Sequence, residues 1–201
     1  MPRMTISVRG LDTLAKRLEQ KQKQAEAVIT RTASDMRTRV PGWVAKEVTA
    51  DYNIKQSEIT PKRGKNKRTA GTVQVSGVTI EDVAIIYEGR PLTPIHFAMK
   101  PKSLPKGAKG KKRKRVPITA EIKRGQRKAL PSDAFLGSNH GGGYIPFRRT
   151  GRSRYPIESI KTVSLPQMVT NETVRQRINQ KINQELPKRL EHNLKRYLEK
   201  N

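Results

Sequence analysis

The stretch Asn171-Glu172-Thr173-Val174-Arg175-Gln176-Arg177-Ile178-Asn179-Gln180-Lys181-Ile182-Asn183-Gln184-Glu185-Leu186-Pro187-Lys188-Arg189-Leu190-Glu191-His192-Asn193-Leu194-Lys195-Arg196-Tyr197-Leu198 decides how this chain is built. Its apolar residues Val174, Ile178, Ile182, Leu186, Leu190, Leu194 and Leu198 recur every four positions among charged and amide side chains, the pattern of a helix with a buried stripe. A helix turns every 3.6 residues, so a strict spacing of four drifts by about 40° per step and cannot stay on one face of a straight helix. With Pro187 inside it, the expectation is two helical pieces or one kinked helix that wraps around what it packs on. Such a stripe serves either the chain's own core or a subunit interface. Ile178, Ile182, Leu186, Leu190, Leu194 and Leu198 are therefore candidate interface residues.

A second amphipathic segment lies at the other end of the chain. Leu11, Leu14, Leu18, Ala25, Val28, Ile29, Thr32, Met36 and Val40 share one face of a helix over residues 11–40, with Asp12 near its start as a candidate cap. Pro41-Gly42 predicts a kink or break, after which Trp43, Val44 and Val48 carry a second piece to about Ala50. Asn53 to Ile59 predicts a further short helix ended before Pro61.

Between the helical ends the periodicity is that of strands. Val73, Val75, Val78 and Ile80 predict a first strand with a bulge at Gly77, and Val83 to Tyr87 a second. Ile95 to Met99 and Val116 to Ile122 predict two more, paired across a long loop. Ala134-Phe135-Leu136 and Tyr144-Ile145-Pro146-Phe147 flank Gly137-Ser138-Asn139-His140-Gly141-Gly142-Gly143 as a hairpin, and Tyr155 to Ile160 completes the region, with Pro146 and Pro156 expected at edges or bulges. The class is α+β: an antiparallel β-sandwich or barrel flanked by a long N-terminal helix and a C-terminal helix. Residues 1–60 form the N-terminal helical region, 61–170 a β domain with long basic loops at 61–70 and 100–115, and 171–201 the C-terminal helix, all within one structural domain.

The chain has 201 residues, 43 Lys and Arg against 17 Asp and Glu, a net charge of +26, and no cysteine. Without cysteine it has no disulfide framework, no thiol nucleophile and no cysteine zinc site. No apolar run reaches the roughly 18 residues that span a bilayer, and Met1 to Ile6 lack the apolar stretch of a signal peptide. The charge is uneven: residues 61–128 hold 19 basic and 4 acidic side chains, +15 of the +26. Two runs dominate, Lys62-Arg63-Gly64-Lys65-Asn66-Lys67-Arg68 and Lys106-Gly107-Ala108-Lys109-Gly110-Lys111-Lys112-Arg113-Lys114-Arg115. A run so dense in one sign reads as a loop that meets a polyanion. The candidate phosphate contacts are Lys62, Arg63, Lys65, Lys67, Arg68, Lys109, Lys111, Lys112, Arg113, Lys114 and Arg115. Both runs lack aromatic residues, which disfavours a platform for unpaired bases and favours sequence-blind phosphate contact.

Nothing in the sequence assembles a catalytic centre or a cofactor site. His96, His140 and His192 lie apart, Glu81-Asp82 are adjacent rather than converging, and Glu47 with Asp51 reads as a solvated i,i+4 pair. The Gly-rich stretch at 137–143 matches neither a P-loop nor a dinucleotide fingerprint. The chain is therefore read as a non-enzyme. A small nuclease would need a metal site, which these residues do not assemble; metal-dependent cleavage lost on mutating Glu81 or Asp82 would revive that reading.

Ala134-Phe135-Leu136, then Phe147-Arg148-Arg149-Thr150-Gly151-Arg152-Ser153-Arg154-Tyr155-Pro156-Ile157, then Lys161-Thr162-Val163-Ser164-Leu165-Pro166-Gln167-Met168 resemble the prophage minor tail protein Z family, the tail completion proteins of lambda-type siphophages. Leu186-Pro187-Lys188-Arg189-Leu190, and Val8-Arg9-Gly10-Leu11-Asp12 before a long helix, fit the same family. The resemblance implies a virion structural protein at the head-proximal end of the tail, assembled in the host cytoplasm. It implies a place beside the tail terminator and neck or connector proteins, in a homo-oligomeric ring that tail symmetry would make a hexamer, with genomic DNA in the lumen. The competing reading from charge alone is a sequence-nonspecific nucleic-acid-binding protein of ribosomal or chromatin type.

Overall fold

The computed structural model describes residues 3–5, 22–60, 71–76, 84–104, 116–139 and 143–198. In chain order the elements are β1 (Arg3–Thr5), α1 (Gln22–Asp51), α2 (Gln56–Ile59), β2 (Thr72–Ser76), β3 (Ala84–Glu88), a 3-10 turn (Pro94–His96), β4 (Thr119–Glu121), β5 (Arg127–Ala129), β6 (Phe135–Ser138), β7 (Tyr144–Arg149), β8 (Ile157–Ser159), α3 (Leu165–Thr170) and α4 (Glu172–Leu198). The strands form three small antiparallel sheets in the orders β1-β3-β2, β4-β5 and β6-β7-β8. The class is α+β as expected, but among the described residues no sheet closes into a barrel.

Two long helices make the frame. α4 runs antiparallel to α1: its Arg177 meets Glu47 and Asp51 near the end of α1, and its Asn193 meets Thr32 and Asp35 nearer the start. The seam contains Val28, Met36, Val40, Val44 and Val48 of α1 and Val174, Ile178, Ile182, Leu186 and Leu190 of α4, all buried in one cluster. The stripe of α4 thus packs inside its own chain. Leu194 is half-buried against the same cluster, and the side chain of Leu198 lies outside the described residues. The drift of the four-residue spacing is reset near the end of α4, where burial moves from Leu190 to Asn193 and then to Tyr197, at steps of three and four.

Each helix runs through its proline, so of the two expectations, a break or a kink within one helix, the break does not occur. Pro41 lies within the 30 residues of α1 and Pro187 within the 27 of α4. The carbonyl that a helical proline frees belongs to the residue four positions earlier. Arg37 and Asn183 hold those positions, and both are exposed, so water can satisfy the freed oxygens. Buried neighbours on either side, Val40 with Val44 and Leu186 with Leu190, hold the helices to the core. Leu11, Leu14, Leu18 and Asp12 lie outside the described residues, whereas Ala25, Val28, Thr32, Met36 and Val40 are buried as the pattern predicts.

β3 alternates as a half-buried strand should, with Ile85 and Tyr87 inward. β2 ends at Ser76; the expected bulge at Gly77, with Val78 and Ile80, falls outside the described residues. Ile95 to Met99 is not a strand. Pro94 starts a 3-10 turn in which Phe97 N–H donates to the Pro94 carbonyl at 2.9 Å, and Ala98 follows at φ 45°. This left-handed residue turns the chain so that Phe97 enters the main core and Met99 enters a second cluster with Ile118, Ala120 and Ala134. Alternation would have put both on one face. Lys100 and Thr119 then exchange both backbone hydrogen bonds at 2.8 Å, which ties the base of the segment between them.

The predicted hairpin is β6–β7, with Phe135 opposite Phe147 and the rings 6.2 Å apart. Pro146 occupies a central strand rather than an edge. Its carbonyl accepts from Ile160 N–H at 2.9 Å just beyond the end of β8, so its missing donor removes only the last rung of that ladder. α3 begins with a capping box: Ser164 Oγ accepts from Gln167 N–H, and Gln167 Oε1 accepts from Ser164 N–H at 2.8 Å.

Candidate functional site

All eleven candidate phosphate contacts, Lys62, Arg63, Lys65, Lys67, Arg68, Lys109, Lys111, Lys112, Arg113, Lys114 and Arg115, lie outside the described residues. What the structure places is where each run is rooted. The first run connects Thr60, which closes α2, to Gly71, which precedes β2. Gly71 is required there, because a Cβ would collide with the Glu88 carbonyl oxygen and press on Leu165 Cδ2. The second run sits inside the segment closed by the Lys100–Thr119 pair, whose far side continues directly into β4.

Two described hairpins carry further basic residues. The β4–β5 hairpin exposes Lys123, Arg124, Arg127 and Lys128 around a turn at Gly125, φ 74°. Glu121 organises it, accepting from Gly125 N–H at 3.0 Å and from Arg127 Nη2 at 3.1 Å. Arg127 Nη1 also donates to the Ala98 carbonyl at 3.0 Å. Arg124 Nε donates to the Thr49 carbonyl at 2.6 Å, and its backbone N–H to that of Asp51 at 2.9 Å. Both arginines are thus committed to their own chain, while Lys123 and Lys128 have no acidic partner among the described residues.

α1 has no basic residue in its last turn, and two arginines from elsewhere complement that end of its dipole. One is Arg124. The other is Arg177, whose Nε donates to Glu47 Oε2 at 3.0 Å and whose Nη2 donates to Asp51 Oδ1 at 2.8 Å. Burial works against the guanidinium charge, but the hydrogen bonds with Asp51 and Glu47 outweigh it and hold its pKa above the ordinary value. Glu47 and Asp51 are therefore a clamp on α4, not a solvated pair. Glu81, Asp82 and His140 lie outside the described residues; His96 Nδ1 is 2.5 Å from Glu58 Oε2, and His192 is exposed.

The second hairpin, β7–β8, exposes Arg148, Arg149, Arg152 and Arg154. Arg148 pairs with Glu158 at 3.4 Å and Arg149 stacks over the Phe135 ring at 5.7 Å. Arg154 stacks over Tyr155 at 5.7 Å, and Tyr155 itself is 64% exposed. In the sequence this segment stands out only by its family resemblance, since its four arginines are outweighed by the denser Lys-rich runs. The signal that marks it as a surface is an exposed tyrosine among arginines. Elsewhere, a cavity of about 300 Å³ opens between α1 and α4, where Arg31 and Arg196 flank Val28, Asn193 and Tyr197. No described helix is long and apolar enough to cross a membrane.

A family model described as prophage minor tail protein Z matches residues 6–200 of the chain. None of the curated proteins and none of the solved structures matches it.

Proposed function

Because the chain belongs to the prophage minor tail protein Z family, and so is a phage tail structural protein of the virion, we propose that it acts as the tail completion subunit at the head-proximal end of the tail. The observation that carries this reading is the family match, which runs through both long helices and all the strands from β2 onward. In this reading the subunit assembles beside the tail terminator, in a homo-oligomeric ring of hexameric symmetry, and makes the tail competent for joining to the neck of a DNA-filled head. The Lys-dominated runs at 62–68 and 106–115 face the genomic DNA in the lumen and contact phosphates without reading bases.

The experiment is deletion of the gene from its phage and complementation with the wild-type chain. The expected outcome is full heads and full-length tails that fail to form infectious particles, with infectivity restored by the added protein. Infectious particles at wild-type yield without the chain, or tails that stop short, overturn the head-proximal completion role.

A further inference from the structure

We propose that the loop between β7 and β8, residues 150–156, is a protein-docking finger that binds an acidic protein surface, separate from the DNA-facing runs. Three observations carry it. The first is preorganisation: Thr150 N–H and Thr150 Oγ both donate to the Pro156 carbonyl, at 3.3 and 3.2 Å. Below that closure the strands pair Arg149 with Ile157 and Arg148 with Glu158, so the loop is presented by a fixed base and little freedom is lost on docking.

The second is the chemistry at the tip. Arg152 and Arg154 have no acidic partner among the described residues, and Tyr155 projects its ring to solvent with the Arg154 guanidinium over it. Tyrosine and arginine are both enriched among the anchor residues of protein interfaces, and a guanidinium fits a carboxylate with two parallel hydrogen bonds. The third is the contrast with the runs. Residues 148–154 hold four arginines and no lysine, whereas the runs at 62–68 and 106–115 hold eight lysines and four arginines and no aromatic residue. Lysine is a mobile point charge that suits phosphate contact without a fixed geometry, and it is depleted at protein interfaces.

The proposal rests on the reading as a tail subunit, because the probe is the rest of the tail. Tails purified from phage lacking this gene are mixed with full-length wild-type chain, with the double variants R152A/R154A and R152K/R154K, and with Y155A. Co-sedimentation with tails is measured beside affinity for a random-sequence DNA duplex, on variants whose thermal midpoints match wild type. The expected result is about tenfold or greater loss of tail binding in R152A/R154A and Y155A. R152K/R154K is expected to keep DNA affinity and still lose tail binding, since it keeps the charge but not the fork. Tail binding equal to wild type in all three variants overturns the finger alone. Loss of DNA affinity as large as the loss of tail binding also overturns it, in favour of a nucleic-acid contact. Wild-type chain that does not bind tails overturns the tail-subunit reading and the finger with it.

Discussion

The Tyr87 hydroxyl is buried in the main core with no hydrogen-bond partner among the described residues, on a residue that is 3% exposed. Burial pushes its pKa well above the ordinary tyrosine value, since the phenolate would lose its water. A group raised on folding holds its proton in the native state where the unfolded chain gives it up. Its stabilising contribution is therefore complete below about pH 10, where unfolded tyrosines ionise, and is lost as the pH rises beyond that. Removing the hydroxyl removes both the orphaned polar atom and this dependence. Tyr87→Phe is expected to raise stability by about 1 kcal/mol in urea denaturation at neutral pH and to flatten the decline of the thermal midpoint above pH 10. A destabilised variant would show that the hydroxyl has a partner. Ala98 shows a different residue-scale compromise. Its left-handed backbone is unfavourable for an alanine, and it is held by buried Phe97 and Met99 on either side and by Arg127 on its carbonyl.

At the scale of elements the antiparallel pair of α1 and α4 carries the fold. Ile182 is 2% exposed midway along the seam, so Ile182→Ala removes buried methyls where rigid helices cannot collapse into the gap. The expected cost is about 2–5 kcal/mol, read by chemical denaturation. The exposed Asn183 next to it is expected to tolerate alanine within about 0.5 kcal/mol, which makes it the control. Both helices are legible in the sequence because apolar residues recurring every three or four positions over many turns are a long signal, matched by burial at Val28, Met36, Val40, Ile178 and Leu186. The choice between a break and a continuous helix at each proline is not, because it depends on whether the freed carbonyl can reach water, a three-dimensional fact about Arg37 and Asn183. The segment Ile95 to Met99 misleads for a related reason. Its composition suits a strand, but Pro94 at the start and the left-handed Ala98 turn it to feed two separate clusters. Asn193 in the seam is another feature that pattern hides: it donates to Thr32 Oγ1 and to Asp35 Oδ2, both at 3.1 Å, which fixes the register of the pair from a position that counts as polar.

For the whole molecule, the charge of +26 is distributed by role rather than spread evenly. Among the described residues many arginines hold the structure together: Arg177 clamps α4 to α1, and Arg124 and Arg127 fasten the β4–β5 hairpin to its surroundings. The sequence alone cannot separate these from the rest, because Glu47 and Asp51 lie 130 and 126 positions from Arg177 in the chain and meet it only on folding. The two runs need no such partners for their composition to be read, which is why they dominate a reading of the bare sequence. Replacing Lys109, Lys111, Lys112, Arg113, Lys114 and Arg115 with serine is expected to leave the thermal midpoint unchanged while weakening binding to random-sequence duplex DNA. The slope of log affinity against log salt should become shallower by about 0.9 for each phosphate that is no longer neutralised. Unchanged affinity and an unchanged slope would remove these six from any DNA contact.

The reciprocal pair of Lys100 and Thr119 gives the long basic segment a further property. Among the described residues the two ends are pinned by a reciprocal pair of backbone hydrogen bonds, a closure that does not depend on which side chains those two positions carry. Lengthening such a loop twofold costs only about 0.6 kcal/mol in closure entropy. A change of length between Pro101 and Val116 is therefore cheap for the closure, so long as the pair at Lys100 and Thr119 is kept.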